Sequence, residues 1–123
     1  MTLSWGEFWW ELQPAFERSA PGMLKLNWCV HAGYVLPRTI EGRRVPDVLT
    51  STLAQVWDTQ VCFAKLGSLW VFWTNQGGEL ETNEDLDALV RYGAQYVASC
   101  LRHTASEMLD MAQRLDLKTG VVT

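Results

Sequence analysis

Only two histidines and three cysteines stand among the 123 residues. An odd number of cysteines excludes a closed disulfide framework and points to reduced thiols in a cytoplasm. No apolar run approaches the roughly 18 residues needed to span a bilayer. The amino terminus has no basic segment followed by an apolar stretch, so no secretion signal is read there. Basic residues form no stripe along a helix, and the net charge of −4 disfavours binding through phosphate neutralisation. Neither a G-x-S-x-G elbow nor a cysteine flanked by glycines is present, and Gly77-Gly78 is not followed by the lysine of a phosphate-binding loop. No repeat, low-complexity tract or linker divides residues 1–123, so a single domain is expected.

Apolar residues make up 48% of the chain, enough for a sizeable core and too many for disorder. Seven tryptophans are unusual at this length. Tryptophan fills cores, and it also anchors interfaces.

The dominant element is predicted from Thr82 to about Leu117. Leu86, Val90, Gly93, Val97, Cys100, Thr104, Met108, Met111 and Leu115 recur at steps of three and four, one stripe of a long helix. Thr82-Asn83-Glu84-Asp85 supplies capping oxygens and acids for its start, and Lys118 and Gly120 mark its stop. Such a helix spans about 50 Å, whereas a compact domain of this size has a radius of gyration of about 14 Å. One end is therefore expected to project, bend or pack on another chain. Gly93 within the stripe suggests the close approach of another backbone.

Ahead of it, Ser4-Trp5-Gly6-Glu7 has the form of a capping box. Trp5, Phe8, Trp9, Leu12 and Phe16 follow at helical spacing, with Trp10 off their stripe. Pro14 should kink or restart this helix, and Ala20-Pro21-Gly22 should end it. Met23 to His31 alternates as a half-buried strand, and Tyr34 to Leu36 suggests a second, short one. Pro37 to Pro46 reads as an irregular loop holding the only local basic cluster, Arg38, Arg43 and Arg44. Asp47 to Asp58 reads as a helix with Val48, Leu49, Leu53, Val56 and Trp57 on one face. Gln60 to Leu66 fits a helix ending at Gly67 or a strand, and the strand is preferred for Val61, Cys62 and Phe63. Leu69 to Thr74 (LWVFWT) is apolar on both faces and so predicts a covered strand. Asn75 to Gly78 reads as a turn, and Glu79 to Glu81 as a short returning segment.

The fold class expected is α+β: a mainly antiparallel sheet of about four strands packed by three helices, in the order α-β-β-α-β-β-α. Element order, size and acidity resemble the small acidic chaperones of type III secretion. No motif carries that resemblance, so no site residue is taken from it.

Chemistry has one sharp candidate. Cys29-x-His31 on a strand and Cys100-x-x-His103 on a helix each share a face, and together they have the ligand set of a tetrahedral zinc site. Against it, Cys100 falls within the apolar stripe, and His103 lies four residues before Glu107, where it can pair. No metal or cofactor is therefore assigned. Glu79, Glu81, Glu84, Asp85 and Asp87 read as a solvated helix start rather than a nucleic-acid mimic.

The expected function is that of a non-enzymatic protein-binding module, of inhibitor, immunity, chaperone or phage-accessory type. Trp10, Arg38, Arg43 and Arg44 are its candidate contact residues, and a homodimer through the 84–117 helix is a further expectation. A structural subunit of a larger assembly, such as a virion, is the alternative. A small zinc protein or enzyme using Cys29, His31, Cys100 and His103 comes after it.

Overall fold

The computed structural model describes residues 5–33, 35–76 and 79–119. Helix α1 (Trp5–Ser19) is followed by a 3-10 turn (Pro21–Lys25) and strand β1 (Cys29–Ala32). Two-residue strands β2 (Thr39–Ile40) and β3 (Arg43–Arg44) come next, then β4 (Thr50–Val56), β5 (Thr59–Leu66), β6 (Leu69–Thr74) and β7 (Leu80–Asn83). Helix α2 (Leu86–Thr119) ends the described chain. The fold is α+β, and the described residues hold two α-helices rather than three and a five-stranded sheet rather than one of about four strands. The Ser4 cap, Tyr34, Gly77-Gly78 and the Gly120 stop lie outside the described residues.

The sheet order is β1-β4-β5-β6-β7, and every pair is antiparallel. On one face Ala54, Val56, Val61, Phe63, Trp70 and Phe72 meet Leu12, Ala15 and Phe16 of α1 and Leu89, Val90 and Val97 of α2. On the other, Cys62, Ala64, Leu66 and Val71 meet Leu36, Ile40, Val45 and Leu49. Both faces are thus dry, which is why LWVFWT carries no polar alternation.

Within the segment Asp47 to Asp58 the structure has strand β4 (Thr50–Val56) and not the expected helix. Its apolar residues at 48, 49, 53 and 56 fit the helical period, so periodicity alone did not separate the two. In the sheet, Thr50, Ser51, Thr52, Ala54 and Val56 are buried, facing α1 and α2 on one side and the 35–49 segment on the other. β-branched Thr50, Thr52 and Val56 suit the pleat, and β4 satisfies the backbone groups of both β1 and β5.

The expected irregular loop from Pro37 to Pro46 is a small hairpin. Ile40 pairs with Arg43, and Glu41 and Gly42 both adopt positive φ, as a tight two-residue turn requires. Its apolar residues Ile40 and Val45 plug the second core. The strand expected from Met23 to His31 begins only at Cys29. Pro21 starts a 3-10 turn that buries Met23, whose carbonyl accepts a 2.6 Å hydrogen bond from the Trp28 indole. Helix α1 runs through Pro14, whose missing N–H removes one internal bond. Thr82 belongs to β7, opposite Val71, and Asp85 caps α2 by accepting from the Asp87 amide at 3.1 Å.

Gly93 does sit at a close approach, but to aromatic rings and not to another backbone. A Cβ there would lie 2.9 Å from Phe63 Cζ and 3.1 Å from Phe72. Arg18 of α1 grips Asp87 of α2 through two hydrogen bonds of 2.8 and 3.1 Å. The guanidinium holds the Asp87 carboxyl below the usual carboxylate range.

Candidate interaction surface

Helix α2 meets the body through its amino-terminal half only. Leu89, Val90 and Val97 are buried, but from Ala105 to Leu117 every residue is exposed. The stripe itself does not rotate away. Leu101, Met108, Met111 and Leu115 continue the face that Leu86, Val90, Gly93 and Val97 present to the sheet. They are between 47% and 63% exposed. At 1.5 Å per residue, the overhang from Leu101 to Thr119 is about 28 Å long.

Two depressions flank the point where α2 leaves the body. An apolar groove of about 260 Å³ lies between the 3-10 turn and α2, lined by Ala20, Met23, Leu26, Ala94, Val97 and Leu101. A polar cleft of about 300 Å³ lies between the β4–β5 turn and α2, lined by Trp57, Asp58, Tyr96, Cys100, His103 and Glu107. Val56 pairs with Thr59, leaving Trp57 and Asp58 as the turn. Trp57 has φ +58°, a left-handed value ordinarily left to glycine or asparagine, and its side chain is 61% exposed. Its carbonyl accepts from Gln55 Nε2 at 2.7 Å. The left-handed backbone costs Trp57 strain that its exposed ring does little to offset. Trp57→Gly is expected to stabilise the protein by about 0.5–1 kcal/mol, the relief of about 1–2 kcal/mol of strain less the entropy of glycine. Chemical denaturation checks this, and a loss of stability would show that the ring packs.

The zinc candidates are not brought together. On edge strand β1, Cys29 and His31 stand opposite Leu53 and Ser51, on the sheet face of the second core, and both are exposed. Cys100 and His103 stand on α2, across the sheet. His103 Nε2 instead lies 3.0 Å from Glu107 Oε1, the one-turn pairing their spacing suggests. Among the described residues no group of three or more His, Cys, Asp or Glu is placed to hold a metal ion. Cys62, the third cysteine, is buried between sheet and hairpin, and desolvation pushes its thiol up to about 12. A thiol reagent should modify exposed Cys29 first and half-buried Cys100 more slowly, with Cys62 reacting only on unfolding. Mass spectrometry of partially labelled protein reads this order, and early labelling of Cys62 would contradict the packing of the second core.

Of the expected contact residues, Trp10 is 77% exposed. Arg38, Arg43 and Arg44 are exposed along the small hairpin. The Arg43 guanidinium lies beside Gly67 in the β5–β6 turn. Glu11, next to Trp10, pairs with Lys65 at 2.9 Å, near that same turn. These residues therefore gather toward one end of the sheet, and the α2 overhang leaves from the other. The helix expected from Asp47 to Asp58 puts Trp57 on its apolar face, whereas the structure puts it in the exposed β4–β5 turn. Its signal was a Trp-Asp pair between two β-prone runs.

No helix among the described residues is long and apolar enough to cross a membrane. No protein-family model, curated protein or solved structure matches this chain.

Proposed function

We propose that this chain is a non-enzymatic protein-binding module with the carboxy-terminal half of α2 as its main contact surface. One observation carries the reading: past the body the stripe of the helix goes on with Leu101, Met108, Met111 and Leu115 about half exposed or more. A contiguous exposed apolar stripe on a helix marks an interaction site, and residues at i, i+3, i+4 and i+7 are how such a helix anchors to a partner. Inhibitor, immunity, chaperone and phage-accessory roles all use such a surface. Trp10, Arg38, Arg43 and Arg44 form a second set, in which an aromatic and three arginines have the composition of interface anchors. A subunit of a larger assembly is the other reading, favoured by two contact sets near opposite ends of the sheet, as a chain built into an array would need.

The test compares baits in the native host. Met108→Glu/Met111→Glu is expected to lose the captured partner with an unchanged melting temperature, because both side chains are exposed. Arg43→Ala/Arg44→Ala should reduce capture only where the second set contributes. A partner retained by the Met108/Met111 variant would remove α2 as the main surface. Sedimentation of the native material into one large particle would favour the subunit reading.

A further inference from the structure

We propose that the overhang of α2 pairs antiparallel with the same segment of a second copy of this chain. This rests on the reading of α2 as a contact surface and names its occupant.

Leu101, Thr104, Met108, Met111 and Leu115 follow one another at 3, 4, 3 and 4 residues. That is the a/d spacing of a two-helix seam, sustained over two heptads. The residues flanking the seam differ sharply on its two sides. One side carries Ala105 and Ala112, small enough for close approach of a second helix. The other carries Glu107 and Arg114, opposite charges seven residues apart.

Those flanks select a direction. In a two-fold antiparallel pair centred between Met108 and Met111, Met108 meets Met111 of the second copy and Thr104 meets Leu115. The same register sets Glu107 beside Arg114 of the second copy, twice, and Ala105 beside Ala112. A parallel pair would instead set Glu107 beside Ala112, leaving both charges without a partner across the seam. Among the described residues the charges pair within their own helix, Glu107 with His103 and Arg114 with Asp110, at exposed sites. Such pairs contribute little, so exchanging them across the seam costs little.

In the antiparallel register the last two turns of each helix lie level with residues 101–107 of the other, beside the cleft that Trp57 and Asp58 line. Each helix end reaches the level of Leu101, at the mouth of the apolar groove. The same register sets Leu101 opposite Lys118 of the second copy, so the seam proper runs from Thr104 to Leu115 and ends at each groove's mouth.

Sedimentation equilibrium over a concentration series tests the proposal. Wild-type protein is expected to shift from 14.0 kDa toward twice that mass. Met108→Glu/Met111→Glu should stay monomeric. Glu107→Arg alone and Arg114→Glu alone should each weaken dimerisation by roughly tenfold or more, since each makes two like-charge contacts. The combined Glu107→Arg/Arg114→Glu variant should return to within about threefold of wild type. Circular dichroism must show all variants folded, which their exposed positions favour. Three results overturn the proposal. The wild type stays monomeric at the highest concentration reached; the Met108/Met111 variant still dimerises; or the charge variants all behave as wild type. A monomeric wild type that still captures a different protein through Met108 and Met111 would end self-pairing while leaving the binding reading intact.

Discussion

Phe63→Ala is expected to cost about 3–5 kcal/mol, the range for a fully buried aromatic whose site cannot collapse. Phe63 is completely buried on β5. Its ring centroid lies 5.5 Å from Phe16 of α1, 5.8 Å from Trp28 and 5.2 Å from Phe72 of β6. It also touches the site of Gly93 on α2. One side chain thus joins both helices, the segment before β1 and two strands. None of these can move in to fill the gap without losing another contact. Since domains of this size are stable by only about 5–15 kcal/mol, the variant should unfold at markedly lower urea. Phe63→Leu should cost much less, under about 2 kcal/mol, because most of the volume stays. A loss below about 1 kcal/mol for Phe63→Ala would show that the aromatic cluster is not the centre of the core.

Gly93→Ala sets two effects against each other. Removing an interior glycine favours the helix by about 1 kcal/mol. The added Cβ, however, would lie 2.9 Å from Phe63 and 3.1 Å from Phe72, both fully buried. Neither ring is the free end of a flexible chain, so overpacking of about 1–3 kcal/mol should win, and the net expected change is a loss of about 1–2 kcal/mol. The pair gives a sharper test. In the Phe63→Ala background the 2.9 Å approach is gone and the Phe72 ring, 3.1 Å away, gains space to yield into, so the loss from Gly93→Ala should shrink toward zero. Additive losses in the double variant would mean that the two sites do not touch.

Both predictions turn on a contact whose position, but not whose partner, could be read in the sequence. Gly93 in an apolar stripe announces close packing, yet nothing in the stripe says whether a backbone or a ring arrives. The α1 stripe at Trp9, Leu12 and Phe16 and the LWVFWT strand were legible because propensity and burial agree there, while Gln60 to Leu66 fitted a helix as well as the strand it forms. Segment 50–56 was not, because a strand dry on both faces loses its alternation and its apolar spacing then mimics a helix. The arginine hairpin was hidden for a related reason. Its two-residue strands are too short for any period, and Glu41-Gly42 became a turn signal only once Ile40 and Val45 had a core to enter.

What residue order determined by itself is local and periodic: an acidic, tryptophan-rich α+β chain with a capped helix too long for its body. Such features follow from the spacing of side chains on one element and from the backbone preferences of a few residues. Only the tertiary structure decided which face of each strand is covered, and by what. It separated Cys29 and His31 from Cys100 and His103 across the sheet, replaced a helix by β4, and held Trp57 out on a left-handed turn. It also decided where the body stops along α2, and so which half of one unbroken stripe is core and which is surface. Burial is a property of what lies opposite a residue. The chain supplies that partner from dozens of positions away, and no local pattern records it.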